Sequence, residues 1–331
     1  MLRPLLHALS PAGRQARLSI LIFHRVLVAP DPLFPGEMHA ARFDAVLHWV
    51  RRWFHVLPLR EAVAHMQAGT LPARALAITF DDGYADNHDV ALPILRRHAV
   101  PATFFIASDY LDGGCMWNDF IIEAVRGAVG PTLDAGAFGV HAVGTIDARR
   151  LAVDRLIAQI KYMARDEREA AVREVAARAG VRPPLDLMMR SEAVRALYRD
   201  GMEIGGHTGS HPILARLSPD EAATEIARGR TALSQIIGAP IAGFAYPNGV
   251  PDKDYTGAHT DMVRAQGFDY AVSTAWGAAH LGDDVFQLPR FTPWDETRGR
   301  FGLRLLRNLA RTRRHPQRRA GDAPAWQAAT L

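Results

Sequence analysis

A chain of 331 residues can bury one large domain or two modest ones, and 48% hydrophobic with 22% charged residues is the make-up of a soluble globular protein. Cys115 is the single cysteine, which excludes an internal disulfide and a thiolate metal cluster, so any metal must be held by histidine and carboxylate. The net charge of +4 is uneven: from Arg298 to Arg319 there are many arginines and no acid.

The opening stretch, MLRPLLHALSPAGRQARLSILIFH, lacks a signal-peptide layout because Pro4, Arg14 and Arg17 interrupt it, and no apolar run is long enough to span a bilayer. The expectation is a cytoplasmic protein. RLSILIFHRV reads as a buried strand ending in His24, and ARFDAVLHWVRRWF carries a helical stripe at positions 43, 46, 47, 50 and 54. ALAITF is a second strand, VALPILRRHAV a helix and PATFFIA a third strand, so the order implies right-handed crossovers and a parallel sheet. Residues from about 112 to 190 are rich in Ala, Arg and Glu and read as a helical insertion without an obvious strand. Alternation resumes at SEAVRALYRDGMEIGGHTGSHP. A capping box follows, with Ser218, Pro219 and Glu221 opening a helix that Gly238 closes. AGFAYP, YAVST and FQLPRFT are the remaining strands. The predicted architecture is an α/β barrel, closed or incomplete: an N-terminal segment 1–17, a barrel over 18–297 with the insertion, and a basic tail 298–331. Leu303, Leu305, Leu306 and Leu309 among the arginines make that tail either a solvated end with one docking helix or a basic amphipathic segment resting on the inner face of an anionic membrane. No nucleic-acid module is present.

Two carboxylates, Asp81 and Asp82, end the strand ALAITF, and Gly83 follows. Neighbours on a regular strand point to opposite faces, so these two address one site only if the chain leaves the strand there. Adjacent anions are mutually unfavourable unless a cation or a proton separates their roles. His207 and His211, four apart in the glycine-rich EIGGHTGSHP, supply the other half: two neutral nitrogens and one carboxylate oxygen make a three-ligand set with room for water. Trp117, just before the insertion, reads either as a platform lining a sugar cleft or as core. Asp86 and Asp89 read as charges at the N-terminus of the next helix.

At TFDDG (79–83) and HTGSH (207–211), with weaker matches at FAYPNG (244–249) and LPRF (288–291), the sequence resembles the polysaccharide deacetylases of carbohydrate esterase family four. The resemblance covers roughly residues 18–295 and implies a distorted (β/α) barrel with a helical insertion. It implies Asp81 as general base; Asp82, His207 and His211 as ligands of a divalent metal, usually zinc; and the Tyr246 backbone N–H as an oxyanion donor. Pro247 and Asn248 of the same motif become substrate contacts.

The sequence also departs from the pattern. Members usually end in a Leu-x-Ile-x-His motif whose histidine is the general acid, whereas the last strand here reads QLPRFTP. ILIFH at 20–24 is similar to the circularly permuted layout of poly-N-acetylglucosamine deacetylases, in which the first strand supplies that histidine, so His24 becomes the candidate acid; otherwise it is a buried strand-end histidine. The usual arginine of the third motif is missing, and Arg290 takes its place beside Asp81 or is a plain surface arginine. The implied activity is removal of N-acetyl from an amino sugar of a polysaccharide, or of a lipid- or nucleotide-linked glycan precursor. A non-catalytic glycan-binding protein and a metal-dependent amidase acting on a non-sugar substrate are the alternatives.

Overall fold

The computed structural model describes residues 2–182 and 184–311. In chain order, α1 (Leu2–Leu9), β1 (Arg17–Phe23), α2 (Ala40–Trp53), β2 (His55–Val56), α3 (Leu59–Ala68), β3 (Ala75–Phe80), α4 (Leu92–His98) and β4 (Thr103–Ile106) come first. Next are α5 (Trp117–Gly127), β5 (Thr132–Asp134), β6 (Val140–Ala142), α6 (Ile146–Ile160) and α7 (Arg165–Arg178). The chain closes with α8 (Ser191–Arg199), β7 (Glu203–Gly206), α9 (Pro219–Ile237), β8 (Gly243–Ala245), α10 (Gly257–Ala265), β9 (Tyr270–Val272), β10 (Ala279–His280) and α11 (Arg298–Ala310).

These elements divide into two compact units, one holding residues 2–29, 37–111 and 189–311, the other 30–36 and 112–188 without residue 183. In the first, the sheet runs β10-β1-β3-β4-β7-β8-β9, with β2 also paired to β3, and β1, β3, β4, β7, β8 and β9 are parallel along this path. Residues 288–291, expected to form a strand, make only single bridges: Leu288 to Val272 of β9 and Phe291 to Leu21 of β1. Pro289 between them has no N–H to donate, which prevents a continuous ladder. The segment still bonds to both sides, with Leu288 N–H donating to Ala271 O at 3.0 Å and Phe291 N–H to Ile20 O at 2.7 Å. It thereby joins the first and last parallel strands and closes the distorted barrel.

β1 and β3 are buried on both faces, as parallel strands covered by helices require. Leu76, Ile78 and Phe80 pack with Leu21 and Phe23 in the larger core, while Ala75 and Ala77 face a second core with Leu18 and Ile20.

The second unit has its own core of Ile121, Val125, Leu156, Ile160, Val172 and Val175 from α5, α6 and α7. It is helical as expected, but β5 and β6 form an antiparallel hairpin that the sequence reading did not anticipate.

Of the two readings of the C-terminal arginine-rich stretch, the described part matches the docking helix. Thr297 caps α11, whose Phe301, Leu305 and Leu309 are fully buried in the larger core with Leu6 of α1. Phe301 lies against Trp49 and Trp53, ring centroids 5.9 and 6.1 Å away. The apolar face read as membrane-binding is therefore engaged by the protein's own core, and Leu303 is its exposed leucine. The remainder of the tail, 312–331, lies outside the described residues. No helix among the described residues is long and apolar enough to cross a membrane.

Phe301→Ala should lower the unfolding free energy by about 3–5 kcal/mol, the usual cost of truncating a buried phenylalanine. Urea denaturation followed by circular dichroism measures it; a loss below about 1 kcal/mol would mean that α11 does not dock here.

Candidate metal and carboxylate site

Alternation along β3 puts Ala75, Ala77 and Thr79 on one face, and Asp81 continues that parity. Beside this face lies Arg290, 1% exposed. Its guanidinium forms a fork with Asp81, Nη1 to Oδ1 and Nη2 to Oδ2 both at 2.6 Å. Nε donates to Ser273 O at 2.9 Å and Nη1 also reaches Thr79 Oγ1 at 3.3 Å, so each of the three nitrogens of the buried cation has an acceptor. Burial disfavours the Asp81 charge, but Arg290, then His207 and His24, outweigh it and hold the carboxyl below its usual range.

Asp82 leaves the strand. Its backbone is left-handed (φ 76°), and Gly83 continues the turn at φ 95°, where a Cβ would come 2.8 Å from Ile106. The twist sends the second carboxylate away from Arg290 and towards two imidazoles. Asp82 Oδ1 is 3.4 Å from His207 Nε2 and 3.5 Å from His211 Nε2. Burial opposes its charge, yet the His207 hydrogen bond, with the nearby imidazoles, holds its carboxyl well below the ordinary value.

The histidines sit just past β7. His207 Nδ1–H donates to Ala245 O at 2.7 Å, which fixes the tautomer and aims Nε2 at Asp82. Thr208 and His211 are left-handed (φ 65° and 53°), and His211 N–H is held by Thr208 Oγ1 at 3.0 Å. Burial pushes His211 down to about 3, leaving it neutral, whereas Asp82 and Asp81 overcome the same burial effect at His207 and raise it. Among the described residues, Asp82, His207 and His211 are the group whose donor atoms, all within 4.8 Å of one another, can hold one metal ion. Two imidazole nitrogens and a carboxylate oxygen are the donor set of an open catalytic centre.

The sequence reading missed the residues that brace this loop. Glu225 on α9 accepts from Ser210 N–H at 2.8 Å and from Ser210 Oγ at 3.0 Å. Arg228 pairs with Glu225 and, at 2.8 Å, with Asp109. Gly229 lets the loop lie against the helix, since a Cβ there would stand 2.4 Å from Thr208 O. One signal was readable: Glu225 interrupts the inward stripe Ala222, Ile226, Gly229 and Leu233.

His24 follows β1 directly and is half-buried, its charge contributing at Asp81, Asp82 and His211. Asn87 Nδ2 donates to His24 O at 2.7 Å, and Asp86 accepts from Val26 N–H at 2.9 Å and pairs with Arg25 at 2.8 Å. Asp86, read as a helix-end charge, instead clamps the turn after β1.

Two expected roles change. The Tyr246 backbone N–H donates to Val272 O at 3.3 Å, its hydroxyl donates to Phe286 O at 3.0 Å and its ring stacks on Tyr255. That amide is engaged within the sheet and is not available to an oxyanion. Trp117 is buried in the core of the second unit with Arg168 over its ring at 5.2 Å, so it offers no sugar platform. Pro247 and Asn248 form a buried turn after β8, with Asn248 left-handed at φ 58°.

A family model described as polysaccharide deacetylase matches residues 68–271. The Bacillus subtilis protein YxkH, a polysaccharide deacetylase by name, is 30% identical over 95 residues, 28% of this chain and 33% of that one. The poly-beta-1,6-N-acetyl-D-glucosamine N-deacetylase of Staphylococcus epidermidis is 29% identical over 70 residues, 21% of this chain and 24% of that one. The chain thus aligns with only a third or less of the length of these two relatives. The structure of IcaB from Ammonifex degensii superposes with a TM-score of 0.57 at 18% identity, covering 91% of this chain and 98% of that one, a likeness of fold.

Removing any one ligand by Asp82→Ala, His207→Ala or His211→Ala should abolish stoichiometric binding of a divalent ion, read by metal analysis after dialysis. Glu225→Ala should weaken retention 10- to 100-fold, the usual effect of losing a group that orients a metal ligand; unchanged affinity would show that the α9 brace is irrelevant to the site.

Proposed function

The chain belongs to the polysaccharide deacetylase family, and from that premise we propose that it is a metal-dependent hydrolase that removes N-acetyl groups from an amino sugar, releasing acetate and leaving a free amine. The observation that carries this reading is the division between the two neighbouring carboxylates: Asp82 joins His207 and His211, while Asp81 is neutralised separately by Arg290. A divalent ion bound by the triad, zinc by the preference of that ion for imidazole and carboxylate, would polarise the acetyl carbonyl and lower the pKa of a water.

The protein's own residues supply the proton transfers. Asp81, kept ionised by Arg290, takes the proton of the attacking water, and each of its oxygens has a lone pair beyond the one given to the guanidinium. His24 delivers a proton to the departing nitrogen, and its electrostatic reach to both aspartates supports that placement. Pro247 and Asn248 follow β8 by one residue, and the Ala245 carbonyl of that strand orients His207, which supports giving their turn a part in substrate contact.

Acetate release should be measured against polymeric, nucleotide-linked and lipid-linked N-acetylated sugars, with chelation and metal restoration as controls. Turnover should vanish on chelation and return with metal; no release from any of the three would favour a non-catalytic glycan binder. Asp81→Asn should retain the metal and lose at least 100-fold in kcat. His24→Ala should lower kcat far more than it raises KM, and a change in KM alone would reassign His24 to binding.

A further inference from the structure

The opposite end of β3 carries a second constellation. Arg3 from the first turn of α1, Arg51 and Arg52 from the last turn of α2, His55 of β2 and Arg74 line one cavity of about 340 Å³. That volume falls in the range of ligand sites, roughly 300–1,000 Å³. Arg74 directly precedes β3 and Asp81 directly follows it, so the six-residue strand sets the two sites roughly 20 Å apart.

Among the described residues, no carboxylate pairs with any of these four arginines, although Arg25, Arg60, Arg96 and Arg97 each have an acidic partner. Arg74 is 6% exposed and left-handed (φ 55°). Its Nε donates to Trp53 O at 2.8 Å, Nη1 contacts His7 Nδ1 at 2.9 Å and Nη2 reaches His55 Nε2 at 3.5 Å. A guanidinium only donates, so both imidazole nitrogens accept, and each ring is neutral with its proton on the opposite nitrogen. Burial, then Arg74 and Arg3, lower the His55 pKa, which agrees with that tautomer. The charged side chains lining the cavity are therefore all cations, and the imidazole beside them presents an N–H. A buried cation without a counter-charge is costly, and four guanidinium groups exceed what one carboxylate can neutralise. A phosphate group, with up to two charges and several acceptor oxygens, matches the count and the fork geometry.

We propose that this cavity, at the far end of the barrel from the metal triad, binds a phosphate group, with Arg51, Arg52 and Arg3 closing on it and Arg74 as the fixed donor. The phosphate belongs either to a soluble phosphate compound or to a lipid headgroup, and the test separates these sources. The full chain is titrated calorimetrically with inorganic phosphate at constant ionic strength. It is also sedimented with phosphatidylcholine vesicles, with and without phosphatidylglycerol. R51A/R52A alters exposed positions and should unfold at the wild-type temperature in phosphate-free buffer. It should weaken phosphate binding at least tenfold, R51K/R52K should restore part of it, and D82A should leave it intact. Phosphate binding lost in R51A/R52A without sedimentation assigns a soluble phosphate compound. Sedimentation that requires phosphatidylglycerol and is lost in the same variant assigns a lipid headgroup. A wild-type chain that binds neither, or R51A/R52A binding as well as wild type, overturns the proposal.

Discussion

The buried fork between Asp81 and Arg290 is the interaction on which the rest of the site depends. The pair is almost wholly excluded from water, with side chains 3% and 0% exposed. Removing one partner of such a pair leaves an uncompensated charge, a cost of about 3–5 kcal/mol. Arg290 belongs to the segment that joins β9 to β1, and it meets the end of β3 from 209 residues away. One interaction thus keeps Asp81 ionised and ties the closing segment of the barrel to its central strand. With Asp81 held in this way, Asp82 can turn to the histidines without leaving two unneutralised anions side by side.

Around that fork, three further groups are held by contacts outside their own loops, while His211 N–H is held within its loop by Thr208. His207 is oriented by Ala245 of β8, Ser210 by Glu225 of α9, and the backbone of His24 by Asn87. These braces come from different strands and helices of one unit, and rigid elements position a site more closely than its loops alone could. The left-handed residues Asp82, Thr208, His211 and Asn248 concentrate in these turns, and such backbone persists only where surrounding bonds over-determine it.

What the sequence made legible follows from what is local. Hydrophobic alternation and short apolar runs marked β1, β3 and β4, and the doublet Asp81–Asp82 with the pair His207–His211 marked the site, because each signal lies within a few consecutive residues. Relations across the chain were harder to read. Nothing near Glu225 points to Ser210, and nothing near Asp86 points to Val26; only the tertiary fold brings them together. Tyr246 carries a family motif, but its amide sits at a register where β9 takes it. Pro289 interrupts a segment whose composition otherwise suits a strand. The leucines of α11 show the same limit: amphipathic spacing identifies a helix face but not the surface that covers it.

β3 also sets the polarity of the main unit. It is bounded by left-handed residues at both ends, Arg74 before it and Asp82 just after it. At each of these residues the backbone departs from the extended conformation, and a charged side chain stands there. The cation so placed faces other cations at one end, and the anion faces the two imidazoles of the candidate metal site at the other. The apolar strand between them, with no ionisable side chain from Ala75 to Phe80, separates the two by a low-dielectric span. The strand holds its two ends about 20 Å apart, far beyond ion-pair contact, so Asp81 is neutralised by Arg290 at 2.6 Å and not by Arg74, its near neighbour in sequence.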